Sequence, residues 1–332
     1  MSSDEYSTGT ASGIAHWRAG GGSVTDGADR DAPRWLPYFL LALANLFWAG
    51  NWVIGRALRE SFAPLTLNFL RWLVAALVLA PFARSALRGK GQVVRRHLGL
   101  LFLLALTGAV LFQSLVYLGL ESTTAVNAVL LNCSAPLFIL LCSWIIERES
   151  ASARQLVGVL ISWAGISIIL GRGDFATLLQ LKFHPGDGWI LLAMPIWGVY
   201  SVLLKRLPPE LRGTALLCLL AGMTVPMLLL PMAAEMLRVA PAMPSRAGLV
   251  GVLYLGVFAS IGAFMCWNRA VAMVGANVAG FSMPLLPAFG TVLAMLFLGE
   301  RLRPFHLVGI ATILAGVILA TRPAARRKLE PQ

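Results

Sequence analysis

Charge is scarce in this sequence. Of its 332 residues only 13% are Asp, Glu, Lys or Arg, while 58% are hydrophobic and the mean hydropathy is +0.76. A soluble domain carries about 25% charged residues. A folded surface needs polar cover in proportion to its area, so these charges cannot shield a chain of this size from water on all sides. Most of its solvent is lipid. With crossings of about 20 residues each, little is left over for loops, and a large soluble catalytic domain is excluded. The 15 acidic residues all lie in tails, connections or helix ends. Cysteine is sparse too: Cys133, Cys142, Cys218 and Cys266 fall inside apolar segments with no CxxC spacing, which supports neither a disulfide framework nor a thiolate metal site. They read as reduced packing residues. His16, His97, His184 and His306 are isolated, and HExxH, a P-loop and a Ser/His/Asp set are all missing. No enzyme, no ATP-driven pump, no metal and no cofactor is therefore expected.

What is present is long apolar runs. Residues 1–34 form a polar, Gly-rich tail that reads as disordered and cytoplasmic, and no secretory signal precedes Trp35. Beyond it, ten apolar segments cover approximately residues 36–57, 63–83, 98–119, 124–146, 155–171, 188–204, 213–234, 248–268, 277–298 and 305–321. Period-two alternation of the barrel type is absent, so these are helices. Of the 27 Lys and Arg, 18 fall in the two tails and the even-numbered connections, 8 in the odd ones when Arg56 at the end of the first span is counted with them, and Arg71 alone lies deep inside a span. The positive-inside rule then puts both termini in the cytoplasm. The net charge of +12 follows from this topology. A nucleic-acid surface would need the charges clustered on a soluble face, and none is available.

The chain also repeats itself. At an offset of 151, residues 122–170 align with 273–321 and ten identities fall in register, among them Pro136 with Pro287, Phe138 with Phe289, Glu149 with Glu300, Gly158 with Gly309 and Gly165 with Gly316. Each half holds five helices, an odd number, so corresponding helices run in opposite directions across the membrane. The expected fold is an all-α polytopic membrane protein of ten transmembrane helices in two inverted five-helix repeats. The first repeat spans 35–171, a connection 172–186, the second repeat 187–321, and a basic cytoplasmic tail 322–332. Inverted repeats are a recurrent way to build two states, each open to one side, around a midplane site. The paired glycines, seven apart on one helix face, allow backbones to approach closely.

Several strings resemble a known family. "FWAGNWVIGR" (Phe47–Arg56), "APLTLNFLRW" (Ala63–Trp72), "TTAVNAVLLNCSAPLF" (Thr123–Phe138), "GANVAGFSMPLLPAFGTVLAMLFLGERL" (Gly275–Leu302) and "LVGIATILAGV" (Leu307–Val317) are similar, in this order, to the EamA-type members of the drug/metabolite transporter superfamily. Within it they are most similar to the YddG-type exporters of aromatic and other amino acids. The resemblance covers residues 36–321. The first half departs from it where "IIERES" around Glu149 stands in place of the LGER box.

The candidate site residues are polar or aromatic and sit at mid-span. They are Asn45, Trp48, Asn51, Gln113, Tyr117, Asn127, Asn132, Trp197, Tyr200, Trp267, Asn268 and Ser282. An amide in hydrocarbon must be paired across helices or line a wet cavity, so each is either interhelical glue or cavity wall. Trp48 and Trp197 occupy similar places at the starts of the two halves, and flanking a planar substrate would suit them. Arg71 either pairs with helix-end carbonyls or a loop carboxylate and stacks on a ring such as Trp72, or it holds a substrate carboxylate. Glu149 and Glu300, at helix C-termini, are expected to cap or to form a salt bridge with Arg148, Arg301 or Arg303. Pro136, Pro284 and Pro287 interrupt their helices and are candidate hinges.

The expected function is inner-membrane export of small metabolites, aromatic or neutral amino acids first, by alternating access. The partners are then a small molecule and the bilayer, with no nucleic acid and no obligatory protein partner. Efflux of drugs or hydrophobic cations is the rival within transporters, but such a site calls for an intramembrane carboxylate or a negative cavity, and the sequence offers neither. A membrane enzyme or scaffold is the rival from another class. With no carboxylate at mid-depth to relay protons, facilitated export is expected.

Overall fold

The computed structural model describes residues 32–123, 125–171, 173, 174, 176, 179, 184–238, 245–298 and 303–321, and every regular element among them is helical. In chain order these are α1 (Leu36–Leu58), α2 (Pro64–Leu87), a short helix at Gly91–Arg96 and α3 (Leu98–Ser122), then α4a (Ala125–Asn132), α4b (Ala135–Glu147) and α5 (Ala153–Leu170). The remainder are α6 (Pro185–Leu203), α7 (Thr214–Met236), α8 (Arg246–Val274), α9a (Ala276–Gly280), α9b (Leu285–Leu298) and α10 (Pro304–Thr321). Seven of the described helices, α1, α2, α3, α6, α7, α8 and α10, are long and apolar enough to cross a membrane. Helix α4b and the apolar stretch Ala153–Ile169 of α5 are shorter. Where the sequence suggests two further continuous spans, the chain is divided.

Proline sets both divisions. It lacks an N–H, and its ring clashes with the carbonyl four residues back, so it suits a first turn and spoils an interior. Pro136 stands in the first turn of α4b, and Cys133 and Ser134 form the turn before it. Residues Phe281–Pro284 are turns between α9a and α9b, and Pro287 lies in the first turn of α9b. A serine closes the turn at each division in matching fashion: Ser134 Oγ donates to Leu131 O at 2.6 Å, and Ser282 Oγ to Ala279 O at 2.7 Å, the same carbonyls that accept the serines' backbone N–H groups. Pro81, Pro195, Pro226 and Pro231 stay inside intact helices.

A second irregularity also recurs. The middle of α3 widens to a π-helix at Ala105–Leu111, and the middle of α8 does so at Leu255–Gly262. Widening takes carbonyls out of the regular ladder, and neighbouring helices use them. Asn68 Nδ2 donates to Ala109 O and Val110 O at 3.1 and 3.3 Å, and Trp48 Nε1 to Ala259 O at 3.2 Å.

The packing has a reciprocal pattern. Helix α6 packs on α3 and α4b, as α1 packs on α8 and α9b; α2 meets the π segment of α8, as α7 meets that of α3; and α2 meets α7, as α5 meets α10. At the α5–α10 crossing a Cβ on Gly158 would lie 2.7 Å from Gly316 O, and one on Gly165 2.7 Å from Gly309 O. Each glycine therefore faces the counterpart of its neighbour, and Ser162 Oγ, at the centre, reaches the carbonyl of its own counterpart Ile313 at 3.4 Å. Leu77, Leu160, Leu230 and Val250 point outward. In lipid that exposure carries no hydrophobic penalty.

Candidate functional site

Helical spacing gathers the rings. Trp48, Asn51 and Trp52 lie three or four residues apart on α1, as Trp197 and Tyr200 do on α6 and Phe264, Trp267 and Asn268 do on α8. Packed together, they form an aromatic box. The centroids of Trp48 and Trp197 are 5.1 Å apart edge to face, and Trp267 lies 5.4 Å from each. Phe264 lies 5.9 Å from Trp48, Phe112 lies 4.7 Å from Trp197, and Tyr200 stacks on Trp197 at 5.0 Å. Beside the box is a narrow cleft with room for about one water. Its walls are Trp48, Asn51 and Trp52 of α1, Phe112, Gln113 and Val116 of α3, Asn132 at the end of α4a, Trp197, and Met283 and Leu286 at the α9 break. Both helix breaks therefore open onto the cleft.

Arg71 lies one side chain behind the wall. Fully buried, it donates through Nη1 to Asn51 Oδ1 at 3.0 Å and to the Tyr117 hydroxyl at 3.1 Å, and through Nε to Ser260 Oγ at 2.8 Å. Tyr117 OH also donates to Asn51 Oδ1 at 3.0 Å. Neither helix-end carbonyls nor a carboxylate appear among these contacts, and no ion pair among the described residues includes Arg71. The expected stack on Trp72 is replaced by this polar set, and Trp72 instead packs edge to face on Phe264 at 5.4 Å. The Nη2 atom is buried without a hydrogen-bond partner among the described residues. In the second half Tyr200 OH donates to Asn268 Oδ1 at 2.8 Å. Tyr200 occupies the counterpart place of Asn51, and Asn268 that of Tyr117, so the pair recurs with its members exchanged.

The remaining candidates lie elsewhere. Asn45 Nδ2 donates to Leu41 O at 2.8 Å and to Ser282 Oγ at 3.0 Å. That pair stands between the cleft and a wider apolar groove lined by Tyr38, Leu41, Ser282, Leu285, Val317, Ile318 and Thr321. Asn127 is outside the cleft. Its Nδ2 donates to Asp187 Oδ2 at 2.8 Å, where Thr123 Oγ1 and the His184 backbone N–H also donate to the same buried carboxylate. Asp187 closes the first turn of α6 in a capping box. Glu149 pairs with Lys205 at 2.5 Å, and its other carboxylate oxygen accepts from Ser143 Oγ at 3.2 Å; Arg148 is not a partner. Arg148 turns left-handed (φ 59°) to end α4b. Glu300 and Arg301 lie outside the described residues.

Sequence reading passes over Asn68, Ser114, Ser260 and Asp187, all buried. Asn68, Ser114 and Ser260 are mid-span polar residues and meet the same test as the candidates. Asp187 sits where a helix end is expected to be wet. Phe112, Val116, Met283 and Leu286 carry no sequence signal, because an apolar cleft wall and an apolar packing residue look alike.

A model of the EamA-like transporter family matches residues 35–171 and again 184–322. An uncharacterized transporter of Archaeoglobus fulgidus is 27% identical over 286 residues, covering 86% of this chain and 96% of its own. The "Probable terminal-alkyne amino-acid exporter" of Streptantibioticus cattleyicolor is 29% identical over 293 residues, covering 87% and 95%. A crystal structure with 22% sequence identity superposes with a TM-score of 0.66, covering 86% of this chain and 96% of the other, and so shares its fold.

Proposed function

This chain belongs to the EamA-like transporter family and is a multi-pass transmembrane transporter, and on that premise we propose that it exports small metabolites, aromatic and neutral amino acids foremost, in the manner of the YddG-type exporters its motifs resemble. The observation that carries this reading is the box of Trp48, Trp197, Trp267, Phe112 and Phe264 beside the amides of Asn51, Gln113 and Asn132. Ring walls suit a planar or apolar side chain, and a few fixed polar groups orient the rest of a small ligand. The relative named as an amino-acid exporter points the same way. Hydrophobic cations fit less well. Rings alone attract a cation, but Arg71 opposes one, and no carboxylate lines the cleft among the described residues. The relatives named as transporters weigh against an enzyme or scaffold.

The mechanism we propose is alternating access between two inverted halves, 35–171 and 187–321, rocking about the α2–α7 and α5–α10 contacts. The reciprocal packing and the matched breaks support it. The two ends differ in this state. At the first turn of α6, Asp187 ties in Thr123 and Asn127; the counterpart place on α1 is Tyr38, and there the wide groove lies open instead. The Asn45–Ser282 hydrogen bond is then the last barrier between groove and cleft. With 18 of 27 basic residues on the α1 side, that side faces the cytoplasm of a bacterial-type plasma membrane and this state is the inward one. Pro136, Pro284 and Pro287 serve as hinges. Asp187 is engaged by three donors at a helix end, not at mid-depth, which favours facilitated export over a carboxylate relay.

The purified chain in proteoliposomes, given labelled phenylalanine, uridine and tetraphenylphosphonium, tests this. Phenylalanine should move without an imposed pH gradient. Movement of tetraphenylphosphonium alone would overturn the reading.

A further inference from the structure

The centre of the molecule holds more buried hydrogen-bond donors than acceptors, and we infer that the cleft selects its substrate by a carboxylate and does not require the amino group. This deepens the amino-acid reading and rests on it only for the aromatic body of the substrate. Arg71 Nη2, Trp197 Nε1 and Trp267 Nε1 are buried without a hydrogen-bond partner among the described residues. Guanidinium and indole nitrogens can only donate, so turning the side chain over cannot make them acceptors. The amide nitrogens of Gln113, Asn132 and Asn268 are unpartnered as well.

Among the acceptors, Asn45 Oδ1 and Asn68 Oδ1 are buried without a partner among the described residues, fewer than the donors, and the acceptors next to Arg71 and the box are occupied. Asn51 Oδ1 receives both Arg71 Nη1 and Tyr117 OH, Asn268 Oδ1 receives Tyr200 OH, and Ala259 O receives Trp48 Nε1. Asp187, the buried acid of the described residues, is at the far end of α6 and has its own three donors.

A buried cation with no anion is costly, and the deficit is met by a ligand that brings acceptors and negative charge. A carboxylate brings only acceptors; an ammonium brings three donors and a like charge. The ammonium of an amino acid is left the ring faces of the Trp48 box, a weaker contact that a substrate can do without. An aromatic carboxylate lacking the amino group is therefore a substrate, and a neutral amide of the same shape is not.

The test uses the full chain in proteoliposomes preloaded with phenylalanine. Exchange of labelled phenylalanine is competed by 3-phenylpropionate, 3-phenylpropionamide and phenethylamine, and binding of each is read in parallel by tryptophan fluorescence. The acid should compete within about tenfold of phenylalanine, and the amide and amine at least about 100-fold more weakly, as expected when a buried charge is left unpaired. In Arg71→Gln the gap between acid and amide should close, and in Arg71→Lys it should persist in part. If that variant does not fold, the competition series on the unaltered chain still decides. An amide or amine that competes as well as phenylalanine overturns the inference while leaving amino-acid export intact. Conversely, saturable quenching by the acid but not the amide, with no phenylalanine movement, upholds carboxylate selection and sinks the exporter reading.

Discussion

The two halves share a framework and differ in charge. Both have a divided fourth helix, a π segment in the third, a tryptophan on the first and a Tyr–Asn hydrogen bond at corresponding depth. Only the first half adds Arg71; at that depth α7, the counterpart of α2, offers Leu220, Ala221 and Gly222. Duplication thus supplies a symmetric frame with matched helix breaks, while the departure from symmetry puts a buried guanidinium behind one wall of the cleft.

The largest expected effect strikes the shared frame. Leucine at Gly158 or at its counterpart Gly309 would drive a side chain into the backbone of the opposite helix, and each should cost about 3 kcal/mol or more, read as lost monodisperse protein and a lowered melting temperature in detergent. Equal losses fit reciprocal faces; tolerance at one site alone would break the comparison. Next come the two ends. Asp187→Ala removes the carboxylate that accepts from Thr123, Asn127 and the His184 backbone N–H and should cost about 2 kcal/mol, whereas Tyr38→Phe, at the counterpart place, removes one 3.3 Å bond to Thr321 O and should shift melting by less than about 0.5 kcal/mol. Similar values would mean that the ends are held alike.

A finer contrast lies in the exchanged pairs. Tyr117→Phe takes a contact from the Arg71 guanidinium and should weaken phenylalanine transport about tenfold, a charge-assisted bond being the stronger kind. Tyr200→Phe removes a neutral pair and should stay within about threefold. Transport rates that fall together would show that the charge is not what distinguishes the halves. The last contrast lies at the breaks: Pro287→Ala and Pro136→Ala should slow turnover while melting stays within about 1 kcal/mol. Equal loss of turnover and stability in either would count against a hinge.

Much of the frame was legible because lipid and helix geometry act locally. The apolar runs, the paired glycines and the repeat offset are properties of the chain, and Gly158, Gly165, Gly309 and Gly316 meet as their spacing implies. The aromatic box was partly legible: Trp48, Trp197 and Trp267 are recognisable as mid-span rings, while Phe112 and Phe264 are not separable from packing residues. Asn127 looked like the other amides, yet it serves Asp187, since the partner of a polar group is set by a helix 60 residues away.

By itself the sequence determined that the chain lives in lipid, is helical, is duplicated and carries one charge, Arg71, deep within a span, because composition, period and repeat need no third dimension. Which polar groups satisfy one another is a matter of distance between helices far apart in the chain, and only the tertiary structure decided it. That is how Arg71, whose expected partners were carbonyls or a carboxylate, came to rest on Asn51, Tyr117 and Ser260, with no carboxylate among the described residues paired to it.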